Sequence, residues 1–360
     1  MYDFILQVPV IGMEWEAFIL LAITALAGGA FGAAIGALPA FIFTGFVVFL
    51  GEGLGILQRE LGGAVSAINP GELAAGVTGV LGFGAITGPH IAFAGGVAAS
   101  AYAGKKYPEM EPNDWDYHFG KNILYAFGTK PDILAVGAVF GFVGMLISQV
   151  GAAVLAVGGT GLIDTIAMSV VATAFLARVA FGYPLVGQVS GSNILDMSPF
   201  EREEMRTVTD GGVQAERLTT EPWLPHQYKW PGVATIGLVG GVLAGYIYIK
   251  TGSIFLGYAI SAMSLLFLQL GVEKIPVTHH ITLIGAVGAV VFLPTSGPVV
   301  ALVAAGLFGA ISGLLGEVTQ RMFYSHSGTH VDPPAMAIAL AMLVVGILAI
   351  AGVLPNAGYL

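Results

Sequence analysis

The chain has 360 residues, 56% of them hydrophobic and only 10% charged, where a soluble domain carries roughly 25% charged. With a mean hydropathy of +0.85 and several apolar runs longer than ~18 residues, a soluble globule is excluded and a helical membrane protein is expected; the ~10-residue alternating segments of a membrane barrel are absent. The net charge of −9 argues against nucleic acid as a partner, and without a single cysteine there is no disulfide, thiolate metal site or thiol redox chemistry.

The amino-terminal stretch carries Asp3, Glu14 and Glu16 and no Lys or Arg before Arg59, so it lacks the basic region of a cleaved signal peptide and the first apolar run is expected to be kept. That run, Ala17 to Leu50, holds 34 uncharged residues. One straight helix of that length would measure about 51 Å against a hydrocarbon core of ~30 Å, so a break is predicted at Gly36-Ala-Leu-Pro39, giving either a kinked helix or a hairpin. Glu52 to Glu72 reads as a polar link. The second run, Leu73 to Ala103, is interrupted by Thr87-Gly88-Pro89-His90, which leaves one histidine inside an apolar stretch.

Lys105 to Lys130 is the first substantial loop. Ile133 to Ala156 and Leu162 to Tyr183 read as two ordinary spans, with Asp164 near the start of the second and Arg178 near its end. Gln188 to Trp230 is the longest polar segment, with a short surface helix expected at Ser198-Pro199. Five apolar runs follow: Gly232 to Ile249, Ile254 to Leu270, Ile281 to Leu293, Val299 to Leu315 and Ala335 to Leu354. The fourth, entered through Pro294-Thr-Ser-Gly-Pro298, is short enough to be read as a re-entrant half-helix.

The expected fold is therefore an all-α integral membrane protein of one domain, with eight to ten membrane-embedded helices, several of them broken or re-entrant. Loops 105–130 and 202–229 hold eight of the thirteen basic residues and are separated by two spans, so they are expected together on the cytoplasmic side of the cell membrane. The 53 glycines favour close helix packing and a homo-oligomer. A duplication is also hinted at: Gly29-Ala-Phe-Gly-Ala33 matches Gly306-Leu-Phe-Gly-Ala310, which divides the chain into a half at 17–183, a polar loop at 184–231 and a half at 232–354. Transporter folds are commonly built from such repeats, with broken helices meeting near the midplane.

Ionisable groups inside membrane segments are functional candidates because burying them unpaired is costly. The path residues expected on this ground are His90, His330, Asp332 and Glu317, with Asn193 and Asp196 at the cytoplasmic mouth. Hydroxyl-glycine pairs before apolar helices, Thr87-Gly88, Ser296-Gly297 and Ser327-Gly328, suit helix breaks whose N-termini attract anions, and Asp332 before Pro333-Pro334 suits an N-cap. Each of these also has a purely structural reading as a cap or a buried hydrogen-bonded side chain. Glu317 and Arg321, spaced i and i+4, are expected to form an ion pair.

His326, His330 and Asp332 are the only metal-ligand candidates, yet Ser327-Gly328 between the histidines spoils a continuous helix. Walker A and HExxH patterns are missing, and in Gly187-Gln-Val-Ser-Gly191 the serine stands fourth, not third. No cofactor is expected. The leading reading is a transporter or channel for a small polar solute or ion, an anion favoured, with movement either passive or coupled to protons. The alternatives are a structural subunit of a homo-oligomer or larger complex, and an intramembrane metal-dependent enzyme. The run GGAFGAAIGALPAFIFTGF, Gly28 to Phe46, resembles the opening of an uncharacterised family of archaeal multi-pass membrane proteins, which carries no assigned activity to transfer.

Overall fold

A computed structural model describes residues 7–61, 75–113, 115–210 and 212–360. Most of the polar link around Asn69-Pro70-Gly71 and the start of the second apolar run lie outside the described residues.

The first apolar run forms two helices, α1 (Trp15–Ile35) and α2 (Ala37–Leu61), divided at Gly36, whose φ of 96° suits only glycine. Both helices outrun the apolar stretch, so each is about 30 Å or longer, and the hairpin reading holds. The second run is a single broken passage. A π-helical segment, Ala75–Gly82, gives way to an irregular stretch through Gly88, and a π turn, Pro89–Phe93, leads into α3 (Ala94–Lys106). Proline at the first helical position explains why the chain restarts there.

α4 (Pro131–Val154) and α5 (Thr165–Ala180) follow, linked by the two-residue strands β1 (Ala156–Val157) and β2 (Thr160–Gly161). The polar segment holds α6 (Ser198–Glu201) and an antiparallel hairpin, β3 (Met205–Asp210) with β4 (Val213–Leu218), in which Met205 faces Leu218 and Asp210 faces Val213. Then come α7 (Trp230–Thr251), α8 (Phe255–Gln269), α9 (His279–Thr319) and α10 (Pro333–Ile350).

α9 is broken at Gly297, at φ 77° and ψ 174° between Pro294 and Pro298. Its second arm is no half-helix. It continues past Leu315 to Thr319 and on through a π turn to Tyr324, because the polar residues that end the hydropathy signal there bond one another inside the helix. Gln320 donates to Glu317 at 3.0 Å and Arg321 donates to it at 2.5 Å.

Packing fixes the direction of every passage. Gly141 of α4 lies against Ala25 and Gly137 against Ala33, so α1 and α4 are antiparallel; Gly82 lies against Val48 and Gly51 against Thr78, so the π segment runs opposite to α2. Followed in this way, the described residues traverse the bundle ten times. One end gathers loops 107–130, 181–229, 270–278 and 325–332, tied by bonds such as Arg217 to Glu111, Gln227 to Val277 and Glu221 to Ser325. The opposite end gathers the 155–164 hairpin and residues 351–360. Among the described residues six helices are long and apolar enough to cross a membrane. Around the bundle they turn out large apolar side chains, among them Leu20, Ile23, Leu243, Val303 and Val344.

Candidate functional site

A cavity of about 1060 Å³ runs through the bundle between its two ends. Trp115, Tyr117, Lys121 and Trp223 line it at the loop end, and Ala156, Gly161, Tyr359 and Leu360 at the far end. Its middle is mostly aromatic and aliphatic, with Phe41, Phe93, Tyr258 and Ile338 on the wall.

The polar groups that reach this cavity are set by helix starts. Asp332 is the N-cap of α10: one carboxylate oxygen accepts from the backbone N–H of Ala335 at 2.8 Å and the other lies 3.0 Å from Nε2 of His330. Asp164 is the N-cap of α5 and repeats the arrangement, accepting from Ala167 N–H at 2.8 Å and from the Tyr359 hydroxyl at 2.6 Å. α5 and α10 pack antiparallel, with Gly346 against the Leu162 carbonyl, so the two aspartates stand toward opposite ends of one cavity. Tyr258, on α8, lies within electrostatic reach of both. His279 lines the same wall, its ring 4.6 Å from Phe41 and 5.8 Å from Tyr258.

At the loop end Lys121 and Glu221 form a buried ion pair of 2.7 Å. Nδ1 of His118 lies 2.5 Å from the other Glu221 oxygen, and the His118 N–H donates to the same carboxylate at 3.2 Å. Burial alone would raise the pKa of Glu221, but Lys121 and His118 overcome it and hold the carboxyl down to about 2. Burial brings the Lys121 ammonium down to about 8 against the pull of Glu221. The ammonium sits 4.5 Å from the centre of the Tyr324 ring, a cation–π contact. Burial and the Glu221 charge push the Tyr117 phenol up.

Of the sequence-derived candidates, the structure brings His330 and Asp332 together on the cavity. His90 is buried where α1, α4 and the π turn meet and is not among the lining residues. Glu317 lies in another buried knot, where Arg321 bonds it, donates to the carbonyls of Leu195 and Tyr228 at 2.6 and 2.8 Å, and stacks 4.2 Å over Trp230. The expected i, i+4 pair is thus formed.

Asn193 and Asp196 occupy a surface turn. Asn193 accepts from Leu195 N–H, and Asp196 accepts from Ser192 and Ser198 N–H, which hold its carboxyl well below the usual range. His326 turns to the carbonyl of Ile194 at 3.1 Å while His330 turns to Asp332, so the two rings share no ligand point. Among the described residues no group of three or more His, Asp or Glu is placed to hold a metal ion.

The hydroxyl-glycine pairs act within the backbone. Thr87 donates back to the carbonyls of Leu81 and Gly82, closing the segment before the break, and Gly88 follows without a side-chain cap. Ser296 and Gly297 form the exposed corner of α9. Ser327 donates to Pro184 at 2.8 Å and Gly328 fits against the Tyr183 ring. Sequence reasoning passed over Lys121, His118, Glu221, Tyr258 and Tyr359. His118 and Glu221 are 103 positions apart, and no local pattern joins them.

The fold and site define a helical protein with apolar outer faces around a long, largely aromatic cavity with acidic helix caps. The chain belongs to a family of proteins of unknown function, DUF7973, whose model matches residues 10–360. No curated protein and no solved structure matches it.

Proposed function

We propose that the chain is a multi-pass membrane protein that moves a small organic solute through its central cavity. The observation that carries this reading is the cavity itself, which joins the loop end of the bundle to the hairpin end and has polar groups toward both. A packed structural subunit has no need of such a passage.

A bilayer accounts for the outward apolar side chains, which in water would make a very large exposed apolar surface. The charge distribution supplies an orientation. Of thirteen basic residues, all but Arg59 and Lys250 fall at the loop end, so loops 105–130 and 202–229 are assigned to the cytoplasm by the positive-inside rule. The ten passages are ten crossings, with the break at Gly88 inside one of them and the corner at Gly297 between two. The glycines that suggested a homo-oligomer are largely used in contacts within one chain, such as Gly29 on Gly137, so they give no separate support for one.

A high-resolution map of the protein in lipid tests the reading. It should contain ordered water or solute between Asp164 and Asp332. A cavity closed by collapse of Phe41, Phe93 and Ile338 onto one another would overturn it.

A further inference from the structure

We infer that the two halves of the chain are inverted copies of one five-helix unit, and that Asp164 and Asp332 are their equivalent carboxylates, together serving an organic ammonium ion in the cavity. The inference rests on the transport reading and narrows its substrate class.

The duplication is visible once the packing is known. Leu26-Ala-Gly28-Gly29 on α1 corresponds to Leu238-Val-Gly240-Gly241 on α7, and His90-Ile91 with Gly95 and Val97 corresponds to His280-Ile281 with Gly285 and Val287. In the last two helices of each half, Phe140-Gly141, Leu146, Val150 and Ile163-Asp164-x-x-Ala167-Met168 recur as Phe308-Gly309, Leu314, Val318 and Val331-Asp332-x-x-Ala335-Met336, all at one spacing of 168 with no gap.

The contacts recur with the residues. A methyl group on Gly28 would meet Cγ2 of Ile91 at 3.1 Å, and one on Gly240 would meet Cγ2 of Ile281 at 2.8 Å. A methyl on Gly29 would meet the Gly137 carbonyl oxygen at 2.2 Å, and one on Gly241 the Ala305 carbonyl oxygen at the same 2.2 Å. Gly29 therefore matches Gly241, and Gly306 belongs to the partner surface in the second half; this replaces the pairing of Gly29 with Gly306. The first half begins at the far end and the second at the loop end, so the copies are inverted, an arrangement that places equivalent residues at opposite mouths of a central site.

The charge of the ligand follows from what the helix starts already hold. An N-terminus attracts an anion through free N–H groups, but at α5 and α10 the protein's own carboxylates take that place. Lys121 is neutralised by Glu221. Asp164 and Asp332 thus remain the charges of the middle cavity, and among the described residues neither has a Lys or Arg partner in a salt bridge. Nδ1 of the fully buried His330 and Nδ1 of His279 have no hydrogen-bond partner among the described residues, and both residues line this wall.

A calcium ion takes six to eight oxygen ligands and magnesium near-octahedral coordination, which one carboxylate amid aromatic rings does not supply. An organic ammonium is satisfied by a carboxylate and ring faces, and Phe41, Phe83, Phe255, Tyr258 and Tyr359 provide the rings.

Trp115 and Trp223 line the cavity, so binding can be read by tryptophan fluorescence of the full chain in lipid nanodiscs. Benzyltrimethylammonium should quench saturably and benzoate should not. Asp164→Asn and Asp332→Asn should each weaken the ammonium by tenfold or more while keeping the N-cap, since asparagine caps as well as aspartate; Asp→Glu at either site should restore part of the loss. Absence of saturable ammonium binding, binding of benzoate in its place, or an unchanged affinity in either Asn variant overturns the inference. A cysteine at Ile338 in the same preparation separates the two readings. If it reacts with a water-soluble thiol reagent while the ammonium fails to bind, the substrate class falls and the passage stands; if it is unreactive, both fall.

Discussion

Replacing Lys121 with methionine removes the ammonium bonded to a carboxylate that is itself 1% exposed. Glu221 would be left with the His118 ring and the His118 N–H, at 2.5 and 3.2 Å. Breaking a buried ion pair from one side costs about 3–5 kcal/mol, whereas replacing both partners by neutral groups of similar shape is close to neutral. Lys121→Met should therefore destabilise by about 3 kcal/mol or more. Adding Glu221→Gln should recover most of it, a coupling of about 2–3 kcal/mol in a double-mutant cycle. Equilibrium unfolding in mixed micelles, followed by tryptophan fluorescence, measures all four corners. The reasoning is refuted if Lys121→Met lies within ~1 kcal/mol of the natural protein, or if the double variant is no more stable than the sum of the single changes predicts.

Acid tests the same carboxylate. Its pKa is lowered to about 2 in the folded state from an ordinary value of 4.5, so its contribution is fully present above about pH 4.5 and lost as pH falls through about 2; Glu221→Gln should flatten the unfolding curve in that window. Gly29→Val and Gly241→Val push a side chain into helix backbone at 2.2 Å and should each cost at least ~3 kcal/mol by overpacking, whereas Gly53→Val, with no atom of the described residues within 4 Å, should fold normally in the same assay. Arg321→Lys should lose ~2 kcal/mol or more of stability, since an ammonium cannot reproduce the fork to Glu317, Leu195 and Tyr228 or the stacking on Trp230; a variant with an unchanged unfolding midpoint would show that charge alone suffices.

What the sequence made legible is what local rules govern. Gly36, Thr87-Gly88 and Pro294 to Pro298 announce the helix breaks because glycine and proline act on their own neighbours. Asp332 before two prolines announces a cap, and Glu317 with Arg321 an ion pair, for the same reason. The second arm of α9 was cut short because hydropathy falls at Glu317 to Arg321, where the polar groups are satisfied by one another and by Leu195 and Tyr228.

The β3–β4 hairpin carried its signal, the β-branched Thr207-Val208-Thr209 followed by Asp210-Gly-Gly, and could have been read. The loop-end triad could not, because Glu221 comes from a different polar loop from His118 and Lys121 and meets them only after the bundle forms. The proposed inverted repeat lay between these cases. Its matches are present in the sequence, but the high glycine content offers rival alignments, and only the packing of Gly29 and Gly241 against their partners selects among them.

The passage through the bundle is tested most directly by cysteine labelling, for which the natural absence of cysteine makes every introduced thiol unique. On α10, Ile338 lines the cavity, Ala337 is packed at 0% exposure and Val344 faces outward at 55%. In sealed proteoliposomes the account predicts that a membrane-impermeant thiol reagent labels Ile338→Cys, while Ala337→Cys and Val344→Cys stay unreacted, one in packed protein and the other in lipid. Labelling of Val344→Cys with Ile338→Cys protected would mean that water lies outside the bundle and not within it, and would contradict the account.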